Sequence, residues 1–315
     1  LDSGKQIILF QNRRGFSPRQ ECDVCHWLPH CHYCDVSLVY HKKDGRLRCH
    51  YCGFSTAPVG ECPSCGSTAI KMKGFGTEKI EEELPLYFPK ARIGRMDLDT
   101  TRSKNAYRNI IEDFQEKRMD ILVGTQMVTK GLDFNNVGVV GILNADNMLS
   151  FPDFRSHERA YQLLAQVSGR AGIRQGQGLV VIQSHKPDHP VIAQVVDNNY
   201  LEMVRLQLAE RKNFHYPPFT RLVELTLMHP GQDLLNEAAE AFSQVLKRGF
   251  PGQVLGPEYP LVSRIKNQYM KRFLIKLKKS SALGAEKARL EQMAEEFLKN
   301  RKWKPVRVVF NVDPQ

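Results

Sequence analysis

The residues whose spacing most clearly indicates chemistry are the cysteines. All eight lie between positions 22 and 65, where they form four pairs with two residues between the partners. The pairs are Cys22/Cys25, Cys31/Cys34, Cys49/Cys52 and Cys62/Cys65. This spacing lets both thiolates of a pair converge on one ion, and four pairs provide the two tetrahedral four-cysteine sites typical of structural zinc. We therefore predict two Zn²⁺ ions per chain.

The intervals between the pairs indicate which pairs share an ion. Five residues separate Cys25 from Cys31, which is short for two pairs that must face each other across one metal. Fourteen residues separate Cys34 from Cys49. The intervals favour a nested arrangement, with an inner zinc ribbon made by the second and third pairs and an outer site made by the first and fourth. A crossed arrangement stays open.

The neighbours of the cysteines support this interpretation. Gly53 and Gly66 each follow the second cysteine of a pair, where we expect the chain to turn through positive φ. With eight thiolates available, we expect that the nearby histidines are not ligands: His26, His30, His32, His41 and His50. The alternative is a disulfide-stapled secreted module, but no signal peptide is recognisable, so we expect a cytoplasmic protein.

Length and charge limit the class of protein. A chain of 315 residues with 42% hydrophobic residues can form two or three domains with proper cores. No apolar run approaches the ~20 residues of a membrane span, so we expect no membrane contact. The net charge of +11 indicates a polyanionic partner, most simply nucleic acid.

Apolar strands alternate with amphipathic helices over the first two thirds of the chain. We predict strands at residues 7–10, 92–96, 120–125, 137–143 and 179–183, and helices at residues 77–84 (closed by Pro85), 105–117 and 155–168. This alternation is typical of an α/β fold with a mainly parallel sheet covered on both faces. The cysteine-rich segment is then an insertion in that domain.

The last hundred residues form a separate α+β unit. The predicted order is β-α-β-β-α-β, the split βαβ pattern, if residues 253–264 contain the second strand. From Arg264 to Lys304 the sequence has thirteen Lys or Arg and four Glu. This density favours a phosphate-contacting surface over a merely solvated face. The predicted DNA contacts are Arg264, Lys266, Lys271, Arg272, Lys276 and Lys278.

Two motifs of the α/β domain suit nucleotide chemistry. The strand at residues 121–123 runs into Gly-Thr-Gln-Met and then a Lys-Gly-Leu-Asp loop that contains Gly131 and Asp133, which suits phosphate and ribose contacts. Residues 166–172 close a helix and place Arg170 between glycines, from where it can act as an arginine finger on a γ-phosphate. Ordinary loops and a helix cap are the alternative for either motif alone.

These motifs together resemble the PriA family of replication-restart helicases, and the resemblance covers essentially the whole chain. It is carried by residues 8–16, 22–65, 74–79, 123–134, 153–155 with 158–159, 166–172, 217–218 and 312–314. The resemblance implies a RecA-like second helicase lobe at residues 1–17 and 69–214. It also implies a two-zinc insertion at 18–68 and a terminal domain at 215–315.

The resemblance further implies roles and partners. Gln166 and Arg170 are expected to be catalytic, and Gly131, Asp133, Arg170 and Arg174 to contact nucleotide. The activity implied is 3′-to-5′ DNA unwinding driven by ATP and Mg²⁺. The partners implied are forked and single-stranded DNA, single-stranded DNA-binding protein and other primosome proteins.

The sequence departs from the family pattern in two ways. The last arginine of the sixth motif is replaced by Ile173, with Arg174 one position later, which puts a two-arginine assignment in doubt. No Walker A loop is present, so we expect a first lobe to precede Leu1 and this chain alone to be inactive. The alternative function is a stand-alone zinc-ribbon nucleic-acid adaptor with a degenerate RecA fold.

Overall fold

The computed structural model of this chain describes residues 1–12, 19–41, 44–73, 76–97, 100–101, 103–129, 134, 136–171 and 178–314. They fall into two compact units. The first unit contains the start of the chain and residues 73–208, and the second contains residues 19–72 and 209–315. The cysteine-rich segment and the terminal domain therefore share one unit. The three domain boundaries given above remain predictions.

The secondary structure alternates as the sequence predicts. The strands are Gln6–Gln11 (β1), Arg19–Cys22 (β2), Val39–His41 (β3), Arg46–Arg48 (β4), Ser55–Thr56 (β5), Ile70–Lys73 (β6), Ile93–Met96 (β7), Ile121–Gly124 (β8), Val137–Leu143 (β9), Leu179–Ile182 (β10), Thr220–His229 (β11), Val254–Glu258 (β12), Arg264–Ile265 (β13), Gln268–Lys278 (β14) and Arg307–Val312 (β15). The helices are Thr77–Tyr87 (α1), Lys104–Gln115 (α2), Asp146–Leu149 (α3), Ser156–Ser168 (α4), Pro190–Val196 (α5), Tyr200–Asn213 (α6), Gln232–Gly249 (α7) and Leu283–Lys299 (α8). No helix in the described ranges is both long and apolar enough to cross a membrane.

The first unit is built on a five-stranded parallel sheet in the order β10-β9-β1-β8-β7. Ile8 and Phe10 of the central strand are fully buried in the cluster that α2, α4 and α5 cover. Ile7 and Leu9 point to the other face and pack with Ile80 of α1. Alternate residues of this strand are thus fully buried on one face and half-buried against α1 on the other, which confirms the α/β fold with a parallel sheet covered on both sides.

Two local predictions differ from the structure. Pro85 was expected to end the first helix, but it lies inside α1, which continues to Tyr87. Pro85 cannot donate to the carbonyl four residues back, but the Phe88 amide still donates to the Leu84 carbonyl at 2.8 Å and closes the last turn. Helix α5 was not predicted. Its start carries a recognisable signal, because Pro190 is the first helical residue and His189 Nδ1 accepts a hydrogen bond from the Val191 amide.

The terminal domain confirms the split βαβ order. Its antiparallel sheet has the strand order β12-β14-β11-β15, and β12 is the strand expected within residues 253–264. The two-residue strand β13 adds a short hairpin to β14. Helices α7 and α8 cover one face, where Phe242, Phe273 and Leu290 are buried. The cysteine-rich segment contributes the three-stranded sheet β3-β4-β5 and the pair β2-β6.

Candidate metal centres and nucleotide-facing edge

The eight thiols gather in two groups of four. An inner cluster contains Cys31, Cys34, Cys49 and Cys52, and an outer cluster contains Cys22, Cys25, Cys62 and Cys65. Within each cluster all sulfur atoms lie within 4.8 Å of one another. The pairs thus group in the nested order that the intervals favour, not in the sequential or crossed order.

The sulfur spacing fits a tetrahedral zinc site. A Zn–S bond of about 2.3 Å places tetrahedral sulfurs about 3.8 Å apart. The Cys22 and Cys65 sulfurs are 3.7 Å apart, and those of Cys31 and Cys52 are 3.4 Å apart. Four thiols at this spacing fill the four positions of a tetrahedral site, which matches a structural rather than a catalytic metal site.

The turn after each pair is set by backbone conformation. Gly53 donates its amide to the Cys49 carbonyl at 3.0 Å, and Gly66 donates to the Cys62 carbonyl at 2.9 Å. Their φ angles of 80° and 71° confirm the predicted left-handed turns. His26, with φ of 58°, takes the same place after the first pair.

Backbone amides also point at the sulfurs of the inner cluster. The Tyr33 amide lies 3.4 Å from Cys31 Sγ, and the Phe54 amide lies 3.5 Å from Cys52 Sγ. The Phe54 amide is the main cause that lowers the pKa of Cys52 to about 7, because a donated hydrogen bond favours the thiolate. Burial raises the pKa of Cys31 to about 12. A bound cation would offset that cost, since a coordinating thiol loses its proton.

The two clusters differ in exposure. Three inner thiols are buried, and Leu38 and Leu47 pack against them at 1% and 0% exposure. In the outer cluster Cys25 and Cys65 are exposed to solvent. The inner site is therefore part of a small core, whereas the outer site lies at the surface.

The histidines lie outside both clusters in the described chain, as expected. His26 Nδ1 lies 3.0 Å from Glu21 Oε1. His41 and His50 bring their Nε2 atoms to 3.1 Å of each other on the exposed side of the zinc ribbon. Neither contact involves a cysteine sulfur.

A second candidate site lies at the carboxyl ends of the parallel strands, where open α/β sheets bind ligands. Gln166 of α4 lines a cavity of about 360 Å³ there. Asn12 follows β1 and Gln126 follows β8, and Gln126 Nε2 donates to Asn12 Oδ1 at 3.2 Å. Further lining residues are Asn147, Met148, Phe151, Ser156, Arg159, Ala160, Gln162 and Leu163. Amide groups therefore dominate the polar part of this cavity.

The other predicted nucleotide contacts are placed only in part. Arg170 lies one turn beyond Gln166, just after α4, and its amide donates to the Val167 carbonyl at 3.0 Å. It does not line the cavity. Gly131, Asp133 and Arg174 lie outside the described residues. Their roles therefore stay predictions.

The six predicted DNA contacts have different surroundings. Lys266 and Lys278 are exposed. Lys271 Nζ lies 3.8 Å from the centre of the Tyr259 ring. The side chains of Arg264, Arg272 and Lys276 are engaged within the chain. Sequence reasoning alone could not show this division, because each of these contacts joins residues distant in sequence.

Arg264, Arg272 and Lys276 each bind an oxygen atom of the chain itself. Arg264 contacts Asp35 at 3.0 Å, and Arg272 contacts Glu258 at 2.7 Å. Lys276 Nζ donates to the Phe214 carbonyl at 2.7 Å, and burial lowers its pKa. These three side chains have structural contacts whether or not they also meet DNA.

The sequence of the first unit belongs to a recognised class of motor domain. The sequence model described as "Helicase conserved C-terminal domain" matches residues 75–174. "PriA DNA helicase Cys-rich region (CRR) domain" matches residues 31–56, and "Primosomal protein N C-terminal domain" matches residues 212–315. The chain thus combines a helicase domain, a zinc ribbon and a primosomal terminal domain.

Two similar proteins have the same name. "Replication restart protein PriA" of Bacillus subtilis is 39% identical over 316 residues, covering 100% of this chain and 39% of the relative. The Haemophilus influenzae protein of the same name is 38% identical over 100% of the chain and 43% of its own length. The chain belongs to the PriA family of helicases. It spans about two fifths of the length of these relatives.

Proposed function

We propose that this chain supplies one motor lobe, a two-zinc module and a DNA-contacting terminal domain to an ATP-dependent 3′-to-5′ DNA helicase of replication restart. The observation that carries the proposal is the nested pair of four-cysteine clusters on a segment inserted between β1 and α1 of a helicase-type parallel sheet. A cation in each cluster would stabilise the module without taking part in ATP chemistry. Metal analysis should find two equivalents of zinc per chain.

The proposed motor role rests on the end of α4. Gln166 faces the carboxyl-edge cavity, and Arg170 follows it by one turn. Together with Gly131, Asp133 and Arg174, these residues would contact ATP, with Arg170 stabilising charge on the γ-phosphate in the transition state. The β- and γ-phosphates also need a Walker A lysine and Mg²⁺ held by an acidic residue. This chain contains no Walker A motif, so we propose that it does not hydrolyse ATP alone.

The motor role can be tested in a longer protein that joins this chain to a Walker-containing lobe. Arg170→Ala should lower DNA-stimulated ATP turnover by about 10³-fold with nucleotide binding less affected. Arg174→Ala should be nearly silent if Arg170 acts alone, and severe if the motif has shifted by one residue. Arg205→Ala removes an exposed arginine that pairs with Glu202 on α6, and is the control. Equal losses in all three variants would contradict the assignment.

The chain by itself provides a second test. Purified chain, freed of contaminating ATPases, should bind DNA and zinc but show no DNA-stimulated ATP hydrolysis. ATP hydrolysis by the chain alone would overturn its role as one half of a motor. If the longer protein also lacked ATPase activity, the zinc-ribbon adaptor would be the better description.

The proposed DNA surface rests on the exposed lysines of the β13–β14 region. Phosphate contacts there should give binding that is sequence-tolerant and weakens with salt. The double change Lys266→Glu with Lys278→Glu should lower affinity for forked or single-stranded DNA and reduce the salt dependence. The matched control is Lys247→Glu with Arg248→Glu, two exposed residues in the last turn of α7 that lie outside the basic run. If both pairs had the same small effect, the lysines would form only a solvated face.

The resemblance also suggests protein partners. We propose that the terminal domain helps to bind single-stranded DNA-binding protein and other primosome proteins. A pull-down with the acidic C-terminal peptide of single-stranded DNA-binding protein, compared with a scrambled acidic peptide, tests this. Equal capture of both peptides would indicate charge attraction alone.

A further inference from the structure

A hairpin of the terminal domain contacts the inner cysteine cluster. The docking hairpin, residues 263–268, consists of β13, a two-residue turn and the start of β14. The Lys266 amide donates to Cys34 Sγ at 3.3 Å. The Asn267 amide donates to the Tyr33 carbonyl at 2.9 Å, and the Asp35 amide donates back to the Arg264 carbonyl at 2.9 Å. Three hydrogen bonds from backbone amides, two to carbonyls and one to a sulfur, thus join segments more than 200 residues apart in sequence.

Side chains reinforce this contact. The Asp35 carboxylate accepts a hydrogen bond from Ser263 Oγ at 2.6 Å and from Arg264 Nε at 3.0 Å. Ile265 packs against the hydrophobic cluster that contains Cys31, Cys34 and Cys49. The residue after the second cysteine of the pair is thus fixed to the terminal domain by charge, hydrogen bonds and apolar contact.

The turn of the hairpin has the conformation that this contact needs. Lys266 and Asn267 have φ angles of 50° and 60°. Both central residues are left-handed, as in a type I′ turn, and Arg264 and Ile265 pair with Tyr269 and Gln268 on either side. A lysine is less favourable than a glycine in this backbone region, because its Cβ crowds the following carbonyl oxygen. The contacts to the inner cluster offset that cost.

The inner and outer clusters differ in the amide that reaches one sulfur, that of Cys34. The amides at Cys31 and Cys52 come from two residues further along the chain, as local as those of the outer cluster. Outer Cys22 receives hydrogen bonds from the amides of Val24 and Cys25, and Cys65 receives one from Ser67. These donors are all within three residues of the sulfur. Cys34 instead receives its amide from Lys266, 232 positions away. The outer cluster is therefore an internal control for any effect of the docking hairpin.

We propose that the docking hairpin completes the second coordination sphere of the inner metal site, so that metal retention there and the order of the terminal-domain hairpin are coupled. The Lys266 amide stabilises the Cys34 thiolate, and the Asp35 contacts hold the second pair of cysteines in place. Residues that support metal ligands in this way affect metal affinity about 10- to 100-fold. By linkage, metal in the inner site must stabilise the docked hairpin by the same free energy.

Zinc release into a chelator such as 4-(2-pyridylazo)resorcinol tests the first half of the proposal. Wild-type chain should release two equivalents of zinc, one from the inner site and one from the outer site. Cys31→Ser lacks a ligand of the inner site, so the release that it still shows identifies the outer phase. Lys266→Pro removes the amide hydrogen and also opens the turn, because proline fixes φ at about −65° whereas Lys266 has φ of 50°. It should therefore speed release from the inner site by about 10- to 100-fold. Lys266→Gly keeps both the amide and the left-handed turn, and should behave as wild type. The outer phase should not change in either variant.

A second variant, outside the hairpin, separates the proposed effect from misfolding of the hairpin. Asp35→Ala removes the carboxylate that Ser263 and Arg264 contact, and should also speed inner release. Asp35→Asn keeps a side-chain oxygen as acceptor and should restore part of the retention. If Lys266→Pro and Asp35→Ala both leave the inner phase unchanged, or speed both phases equally, the proposal is wrong.

Hydrogen exchange tests the reciprocal half. In Cys31→Ser the amides of Lys266 and Asn267 should lose protection, whereas those of β11 in the same domain should keep it. Cys25→Ser, which disturbs the outer cluster, is the matched control and should leave the hairpin protected. Unchanged protection of the hairpin in Cys31→Ser would contradict the coupling.

Discussion

The parallel-sheet unit and the cysteine-rich segment show two different ways to stabilise a fold. The sheet unit has a large apolar core in which Ile8, Phe10 and Leu122 are fully buried. Among its described residues, the inner part of the cysteine-rich segment has five buried core residues, and three of them are the predicted ligands Cys31, Cys34 and Cys49. Burial of apolar surface stabilises the first, while metal–thiolate bonds would stabilise the second.

This difference explains how one chain can contain both the parallel-sheet unit and the inserted cysteine-rich segment. A segment of about 50 residues is too small to bury enough apolar surface for independent stability, and a metal commonly supplies what is missing. Because its stability comes from the ion, such a segment can be inserted in a loop of a sheet without being part of the sheet's core. The two regions should therefore respond differently to the same perturbation.

Metal removal should have the largest effect, and it should affect only the cysteine-rich segment. Zinc binding contributes about 10–16 kcal/mol to small zinc folds at neutral pH. Chelation should therefore abolish hydrogen-exchange protection at residues 31–56, while the amides of β8 and β9 stay protected. Protection of the cysteine-rich segment that persisted in metal-free chain would show that its apolar contacts suffice.

Truncation of a side chain in the apolar core should have the converse effect: it should destabilise the sheet unit and leave the cysteine-rich segment unchanged. Phe10→Ala removes a fully buried ring from the central strand and should lower the free energy of unfolding of the sheet unit by about 3–5 kcal/mol. Zinc stoichiometry should remain at two. Phe151→Ala, where the ring is 56% exposed, is the control of the same residue type. Loss of zinc in Phe10→Ala would mean that the segment depends on the sheet after all.

Acid should weaken the two regions by different routes. In the sheet unit, Asp146 accepts hydrogen bonds from the His185 amide at 2.9 Å and from Ser184 Oγ at 2.7 Å. The His185 amide is the main cause that lowers the Asp146 pKa to about 2. Because the folded pKa is below the ordinary value of about 4, this stabilisation is full above pH 4 and is lost as the pH falls towards 2.

The measurement is the pH dependence of thermal unfolding of the sheet unit. The difference in midpoint between wild type and Asp146→Asn should shrink between about pH 4 and pH 2. Asp188→Asn, at an exposed position, controls for the loss of one charge. The cysteine-rich segment should lose zinc at a higher pH, because protons compete for its thiolates. Simultaneous unfolding of both regions at every pH would remove the distinction between them.

The smallest expected effect is that of replacing one turn residue, Gly53. Gly53 has φ of 80°, and a Cβ there would meet no atom within 4 Å. Gly53→Ala should therefore cost only the left-handed backbone, about 1–2 kcal/mol, and weaken zinc binding at the inner site by roughly 5- to 30-fold. Gly60→Ala, which has equal space and no positive φ, should have little effect. Equal affinities for the two variants would show that the turn tolerates alanine.

Several features of this protein could be predicted from the sequence because they depend on local spacing. The cysteine pairs, the intervals that favour nested clusters and the glycines that follow the pairs are all short-range patterns. The parallel sheet and the split βαβ order follow from apolar periodicity. The same reasoning missed α5 and ended α1 too early, because a helix boundary depends on a few local contacts rather than on a periodic pattern.

Only the tertiary structure decided what the basic residues of the terminal domain do. Arg264 pairs with Asp35, Arg272 with Glu258, and Lys276 with a backbone carbonyl. Charge density in the sequence predicts that a surface is cationic, but not which cations are already paired. The contact between Lys266 and Cys34 is less predictable still, since its donor is a backbone amide that any residue other than proline carries. Residue types therefore determined the ligands of this protein, while the path of the chain decided which distant groups support them.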